Sequence, residues 1–204
     1  MRKLSTIVMF AIALMLSAYQ NPEKKGYVIG DIAMDFKLEN IDGKMVSMAD
    51  YKAAKGFIVI FTCNHCPFSV AYEDRIIELQ KKMSVKGYPV IAINPNDPER
   101  QPEDSYKNMQ KRAKQKKFNF PYLLDNTQEV AKTYGATRTP HVFILQKESN
   151  DLKVVYIGAI DDNFEEPQNV KQKFVESAVN DLLNNEPVAN ATTKAIGCTI
   201  KWRK

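Results

Sequence analysis

Apolar positions follow two rhythms along this chain. Phe57-Ile58-Val59-Ile60-Phe61 is an unbroken apolar run of β-branched and aromatic residues. Such a run suits a strand buried on both faces in the middle of a covered sheet. After Pro67 the rhythm changes: Tyr72, Ile76, Leu79 and Met83 recur with charges between them, which is one face of a helix. Gly87 closes that helix, and Pro89-Val90-Ile91-Ala92-Ile93 reads as a second buried strand. Strand, helix and strand with short connections form a βαβ unit.

The flanking segments extend this unit into an α/β domain. Upstream, Asp35 to Asn40 alternates, Asp42-Gly43 is a turn signal and Met45 to Met48 follows, so a hairpin is expected. Downstream, a helix is expected from about Pro102. Phe120 to Asp125 leads into a short helix ending at Gly135. His141 to Leu145 and Val154 to Ile157 read as hairpin-paired strands. Val170, Phe174, Ala178 and Leu182 mark a last amphipathic helix. In the tail, Ile196, Ile200 and Trp202 are expected to pack back onto the domain. No repeat and no second domain is evident, so residues 27–204 are read as one domain and 19–26 as a flexible lead.

The first residues have their own pattern. Arg2 and Lys3 precede an uncharged, mostly apolar stretch from Leu4 to Leu16, and Ser17-Ala18 offers a small-residue exit. This is the layout of a secretory signal peptide cleaved near Ala18, and the stretch is shorter than the ~20 apolar residues of a spanning helix. An uncleaved anchor is the alternative. Position 19 is Tyr, so the acylated cysteine of a lipoprotein is absent. Export to the periplasm or cell envelope of a bacterium is expected, where disulfides form and persist. All three cysteines lie beyond the leader.

Composition adds exclusions. The 204 residues are 44% hydrophobic and 26% charged, with a net charge of +5; collagen, a multi-span membrane protein and a wholly disordered chain are ruled out. The charge is too small, and the aromatic residues too little interleaved with it, to indicate nucleic acid. Six basic residues stand between Lys107 and Lys117 with no acid among them. They are read as a solvated helix face, with weak contact to a membrane surface or an acidic partner as the alternative.

The chemistry gathers at Thr62-Cys63-Asn64-His65-Cys66-Pro67, where a buried strand becomes a helix. The first helical turn presents unsatisfied N–H donors and the positive end of the helix dipole. Both favour a thiolate and lower a thiol pKa. An exposed Cys63 is expected to attack and Cys66 to resolve the mixed disulfide, with His65 tuning the thiolate. A structural disulfide is one rival reading. A copper(I) site formed by Cys63, Cys66 and His141 is another, since soft thiolates select that ion.

At these residues the chain resembles the thioredoxin-fold superfamily. It is most similar to the exported redoxin branch of AhpC/TSA-like and TlpA/ResA-like proteins, and within it to a peroxiredoxin-like group with a Cys-Asn-His-Cys-Pro motif. The likeness rests on Ala33-Met34-Asp35-Phe36, the Cys63 to Pro67 motif, Tyr134-Gly135, Thr139-Pro140 and the Gly197-Cys198-Thr199-Ile200-Lys201-Trp202 tail. It implies a central mixed β-sheet flanked by helices, with an N-terminal hairpin. It implies a cis Thr139-Pro140 bond, with Thr139 and Pro140 shaping a groove in which Thr139 offers its backbone to the substrate. The implied activity is thiol–disulfide exchange with protein dithiols or disulfides, or with an electron-donating thiol protein, without organic cofactor or resident metal.

Departures from the pattern matter. Thr62 stands where thioredoxin-like reductases usually have Trp, and Phe57 where thioredoxin has a buried Asp. Ser69 replaces the Glu of ResA-like proteins, so the proton acceptor for Cys66 is missing or moved; Glu73 is a substitute, although it reads more simply as a solvated helix residue. Aligned on Cys66, the peroxiredoxin pattern would need Pro and Thr at Val59 and Cys63, which disfavours a fast peroxidase. A slow thiol peroxidase stays as an alternative, with Arg138 as its charge. His65 resembles the histidine of the more oxidising members, whereas the branch suggests a reductase. Cys198 is read as buried, with a second resolving thiol or an intermolecular partner as its other roles.

Overall fold

The computed structural model describes residues 26–204. The leader reading at residues 1–18, and all but the last residue of the flexible lead, lie outside that range. Among the described residues no helix is long and apolar enough to cross a membrane.

The hairpin comes first, as β1 (Lys37–Asn40) and β2 (Met45–Ser47). Next are β3 (Gly56–Phe61), α1 (Pro67–Ser84) and β4 (Val90–Asn94), the βαβ unit. A short 3-10 turn at Pro102–Asp104 precedes α2 (Tyr106–Lys116). Then follow β5 (Tyr122–Leu124), α3 (Glu129–Tyr134), the two-residue β6 (Arg138–Thr139), β7 (His141–Glu148) and β8 (Asp151–Gly158). The chain closes with α4 (Phe174–Leu183) and the two-residue β9 (Cys198–Thr199).

Seven strands form one mixed sheet in the order β2-β1-β5-β4-β3-β7-β8. The β3–β4 and β4–β5 pairs are parallel, while β7 runs antiparallel to both β3 and β8. Alternation within the apolar runs supplies both faces of the sheet. Ile58, Ile60, Val90, Ala92, Val142 and Ile144 face α1 and α4. Phe57, Val59, Phe61, Ile91, Ile93 and Phe143 face the opposite layer, where Tyr134 of α3 packs with Tyr27 and Phe36. This is why the runs lack polar breaks.

Two expectations are corrected. The last helix begins at Phe174, after Val170, and its buried residues are Val175, Ala178 and Val179; Phe174 and Leu182 sit at the border of that face. In the tail, Ile200 is buried and Trp202 packs against the core, but Ile196 is exposed. The tail also does more than pack, because β9 pairs antiparallel with β6 in a separate two-stranded sheet, matching Thr139 with Cys198.

Candidate active site

The sheet delivers β3 to the middle of the molecule, and Cys63 follows two residues after it. Cys66 is the N-cap of α1, with Pro67 at the first helical position, where a missing N–H costs nothing and φ is already helical. The Thr139-Pro140 peptide bond is cis. It brings Thr139 against both thiols: Oγ1 lies 3.1 Å from Cys63 Sγ, and the carbonyl oxygen lies 3.2 Å from Cys66 Sγ. Cys63, Cys66, Thr139 and Pro140 therefore meet in one place, beside a cleft of about 250 Å³ lined by Pro140, Phe164, Phe174 and Ile196.

The expectation of an exposed Cys63 is not met. Cys63 is 3% exposed and Cys66 is fully buried. The surroundings favour a negative charge at Cys66 over Cys63. Cys66 is drawn down to about 4 by a hydrogen bond from Cys63, with further donors in the Cys198 side chain and the Ser69 and Cys198 amides, all outweighing its desolvation. Cys63 is pushed far up, because its proton serves Cys66, burial penalises its anion and the Asp104 carboxylate repels it. The positive end of the α1 dipole favours an anion at this position as well. In the fully protonated pair the Cys66 thiol donates to the Thr139 carbonyl.

Asp104, which no local pattern in the sequence marks, organises the loop. It is fully buried. Its carboxylate accepts from the Asn64 amide at 2.6 Å and from Asn96 Nδ2 at 2.7 Å, and lies 2.6 Å from His65 Nδ1. The His65 ring is consequently tied to a carboxylate instead of standing free beside the thiols. Asn64 is fixed from its far side by the Tyr122 hydroxyl, at 3.0 Å from Oδ1.

The remaining candidates fall as follows. Thr62 is buried and donates its backbone N–H to Ile93. Ser69 is buried, with its hydroxyl 3.8 Å from Cys63 Sγ. Glu73 is not solvated: its side chain is 5% exposed and accepts two bonds of 2.6 Å from Arg112. Arg112 and Lys116 therefore turn inward from the basic run, while Lys107, Lys111, Lys114 and Lys117 stay exposed. Arg138 is exposed and donates to the Gly197 carbonyl at 3.0 Å, so its guanidinium is engaged by the tail.

Cys198 is half-buried, not buried, and faces Cys66. Its thiol is raised to about 11, by desolvation first and by the Cys66 charge beside it. Because β9 pairs with β6, the backbone of Thr139 expected to receive a substrate already carries the chain's own tail. The copper set does not form: among the described residues the ligand atoms that converge belong to Cys63, His65 and Asp104. His141 instead accepts from the Thr137 amide at 3.4 Å and is held neutral, pulled down to about 4 by burial and by Arg138.

Known proteins resemble this chain as follows. A model of the AhpC/TSA family matches residues 29–156. The thiol-disulfide oxidoreductase ResA of Geobacillus thermodenitrificans is 25% identical over 167 residues, which cover 76% of this chain and 90% of that protein. The crystal structure of an uncharacterised conserved protein from Geobacillus kaustophilus is 40% identical, covering 87% of this chain and 93% of its own, with a TM-score of 0.79. A hypothetical protein from Sinorhizobium meliloti is 32% identical, covering 87% and 96%, with a TM-score of 0.78. The tail that bears Cys198 lies beyond the segment matched by the family model.

Proposed function

The chain belongs to the AhpC/TSA family, and on that premise we propose that it is an exported thiol–disulfide oxidoreductase of the cell envelope that exchanges disulfides with proteins through Cys63 and Cys66. The observation that carries this reading is the placement of Cys63 and Cys66 where β3 hands over to α1, with Thr139 of the cis Thr139-Pro140 bond against both sulfurs. A thiolate attacks a disulfide sulfur, and the second thiol of the pair then resolves the mixed disulfide. In the reducing direction the pair gives up two electrons, and the substrate sulfurs take up one proton from Cys63 and one from water, leaving Cys63–Cys66 as a disulfide and the substrate as two thiols. The reverse sequence oxidises a substrate dithiol.

The other residues act through this pair. Thr139 sets its hydroxyl beside Cys63, and its carbonyl accepts from Cys66 when that sulfur is protonated; Pro140 lines the adjoining cleft, which suits an apolar substrate side chain. His65 acts with Asp104 as a positioning residue that fixes the loop between the cysteines. Export is supported by the leader-like residues 1–18, and an oxidising envelope suits a cysteine pair of this kind.

Insulin reduction in the presence of dithiothreitol tests the reading. Wild-type protein is expected to accelerate insulin precipitation, and Cys63→Ser and Cys66→Ser are each expected to abolish the effect. Wild-type rates in either variant would remove the pair from the reaction. The potential of the pair sets the direction: about −270 mV marks a reductase and about −120 mV an oxidant.

A further inference from the structure

The buried pair has no open approach of its own, and the segment that covers it carries a third thiol. In the paired strands β6 and β9, Cys198 stands opposite Thr139, the residue whose carbonyl is 3.2 Å from Cys66 Sγ. The sulfurs form a chain: Cys66 interacts with both Cys63 and Cys198, so it is the middle member. Exposure sets the third sulfur apart, with Cys63 and Cys66 buried and Cys198 half-exposed at an edge strand.

The tail is built to hold Cys198 there. Gly197 lies so close to the cis-proline loop that a Cβ on it would come within 2.2 Å of the Thr139 carbonyl oxygen. Beyond Cys198, Ile200 is buried in the core. The Lys201 amide donates to Asn96 Oδ1 at 2.8 Å, and the Lys201 carbonyl accepts from the Asp97 amide and Gln128 Nε2, each at 2.9 Å. The Arg203 amide donates to Gln128 Oε1 at 2.7 Å. Asn96 and Gln128 are themselves buried. A strap clamped by buried amides on one side and a glycine contact on the other fixes its cysteine, and does not leave it to chance.

We propose that Cys198 is a third redox-active residue, a shuttle that carries the disulfide between the surface and the buried Cys63–Cys66 pair. This rests on the exchange reading above and adds the route by which a protein substrate reaches it. In the reducing direction Cys198 attacks the substrate disulfide and its proton passes to the departing sulfur, forming a Cys198–substrate disulfide and releasing one substrate thiol. The Cys66 thiolate then attacks Cys198 Sγ, releasing the second substrate thiol and forming Cys66–Cys198. Finally Cys63 attacks Cys66 Sγ, and its proton passes to the departing Cys198. The net change is one substrate disulfide reduced to two thiols and one Cys63–Cys66 disulfide formed, with no other oxidant or reductant.

Two measurements on the full chain test this. In Cys63→Ser the last step is blocked, so treatment with oxidised glutathione is expected to accumulate a Cys66–Cys198 disulfide, read by non-reducing peptide mapping. A Cys66–glutathione adduct with Cys198 left free would overturn the proposal. In Cys198→Ser, insulin reduction is expected to fall about tenfold or more, while diamide still closes the Cys63–Cys66 disulfide. Insulin reduction at the wild-type rate in Cys198→Ser would also overturn it. If wild-type protein fails with insulin, the exchange reading falls, and the mapping in Cys63→Ser still judges the shuttle separately because it needs no protein substrate.

Discussion

A thiol's charge is decided by what its sulfur touches, and here the two cysteines of one motif have opposite surroundings. Cys66 gathers donors from Cys63, Ser69 and Cys198, whereas Cys63 gathers burial and the Asp104 carboxylate. The motif, the strand-to-helix junction and the Thr139-Pro140 pair were all legible in the sequence because each is local. Which sulfur holds the charge was not, since Asp104 and Cys198 reach the motif from distant chain segments. This assignment has a pH consequence. A thiol lowered from 9.0 to about 4 on folding contributes stability that is fully present above 9.0 and lost as pH falls through about 4. The raised Cys63 works against folding only above its unfolded value of 9.0. Reduced wild-type protein is therefore expected to lose denaturant resistance from pH 9 toward pH 4 more steeply than Cys66→Ser, since carboxylates titrate alike in both. Parallel pH profiles from chemical unfolding would show that Cys66 is not ionised in the folded state.

At the scale of elements, continuity and period were reliable guides and phase was not. β3, β4 and β7 followed from unbroken apolar runs, and α1 from its repeat of Tyr72, Ile76, Leu79 and Met83, all four buried. For α4 the row Phe174, Ala178, Leu182 traces one border of a broader face centred on Val175, Ala178 and Val179. A helix this short and apolar offers several rows, and packing selects among them. β6 and β9, at two residues each, are too short to have a period at all. Helix charges mislead for a related reason: Glu73 and Arg112 look solvated in their own segments, and the buried Glu73 meets the half-buried Arg112 only when α1 and α2 come together. Removing Arg112 leaves the buried Glu73 carboxylate with only the longer contact to Lys116, at 3.7 Å. Arg112→Ala is expected to cost about 3 kcal/mol of unfolding free energy, and the double change Glu73→Leu with Arg112→Leu much less. Denaturant titration of the three proteins checks this, and an equal loss in the single and double variants would mean that the pair is not the source of the effect.

Across the whole molecule, the strap joins parts of the chain that the sheet keeps apart. It leaves α4, returns past the cis-proline loop to place Cys198, and then seats Ile200 in the core beneath it. Ile200 and Trp202 announced this return through their apolar character, but the strand pairing depends on a backbone approach that no side-chain pattern encodes. Gly197 is the residue on which that approach turns. Its missing Cβ leaves room for the Thr139 carbonyl, which sits against the Cys66 sulfur. Gly197→Ala must push one backbone away from the other, because 2.2 Å is far inside contact distance and neither atom belongs to a flexible side chain. Overpacking of this kind costs about 1–3 kcal/mol. The strain falls on the strap's weakest link, the two-residue ladder, because the Ile200 and Lys201 anchors lie deeper. Cys66 should then become reachable. Iodoacetamide is expected to alkylate Cys66 faster in Gly197→Ala than in wild type at neutral pH, with an accompanying loss of stability in denaturant. If both quantities stay at their wild-type values, the close approach at Gly197 is not what keeps the strap over the thiols.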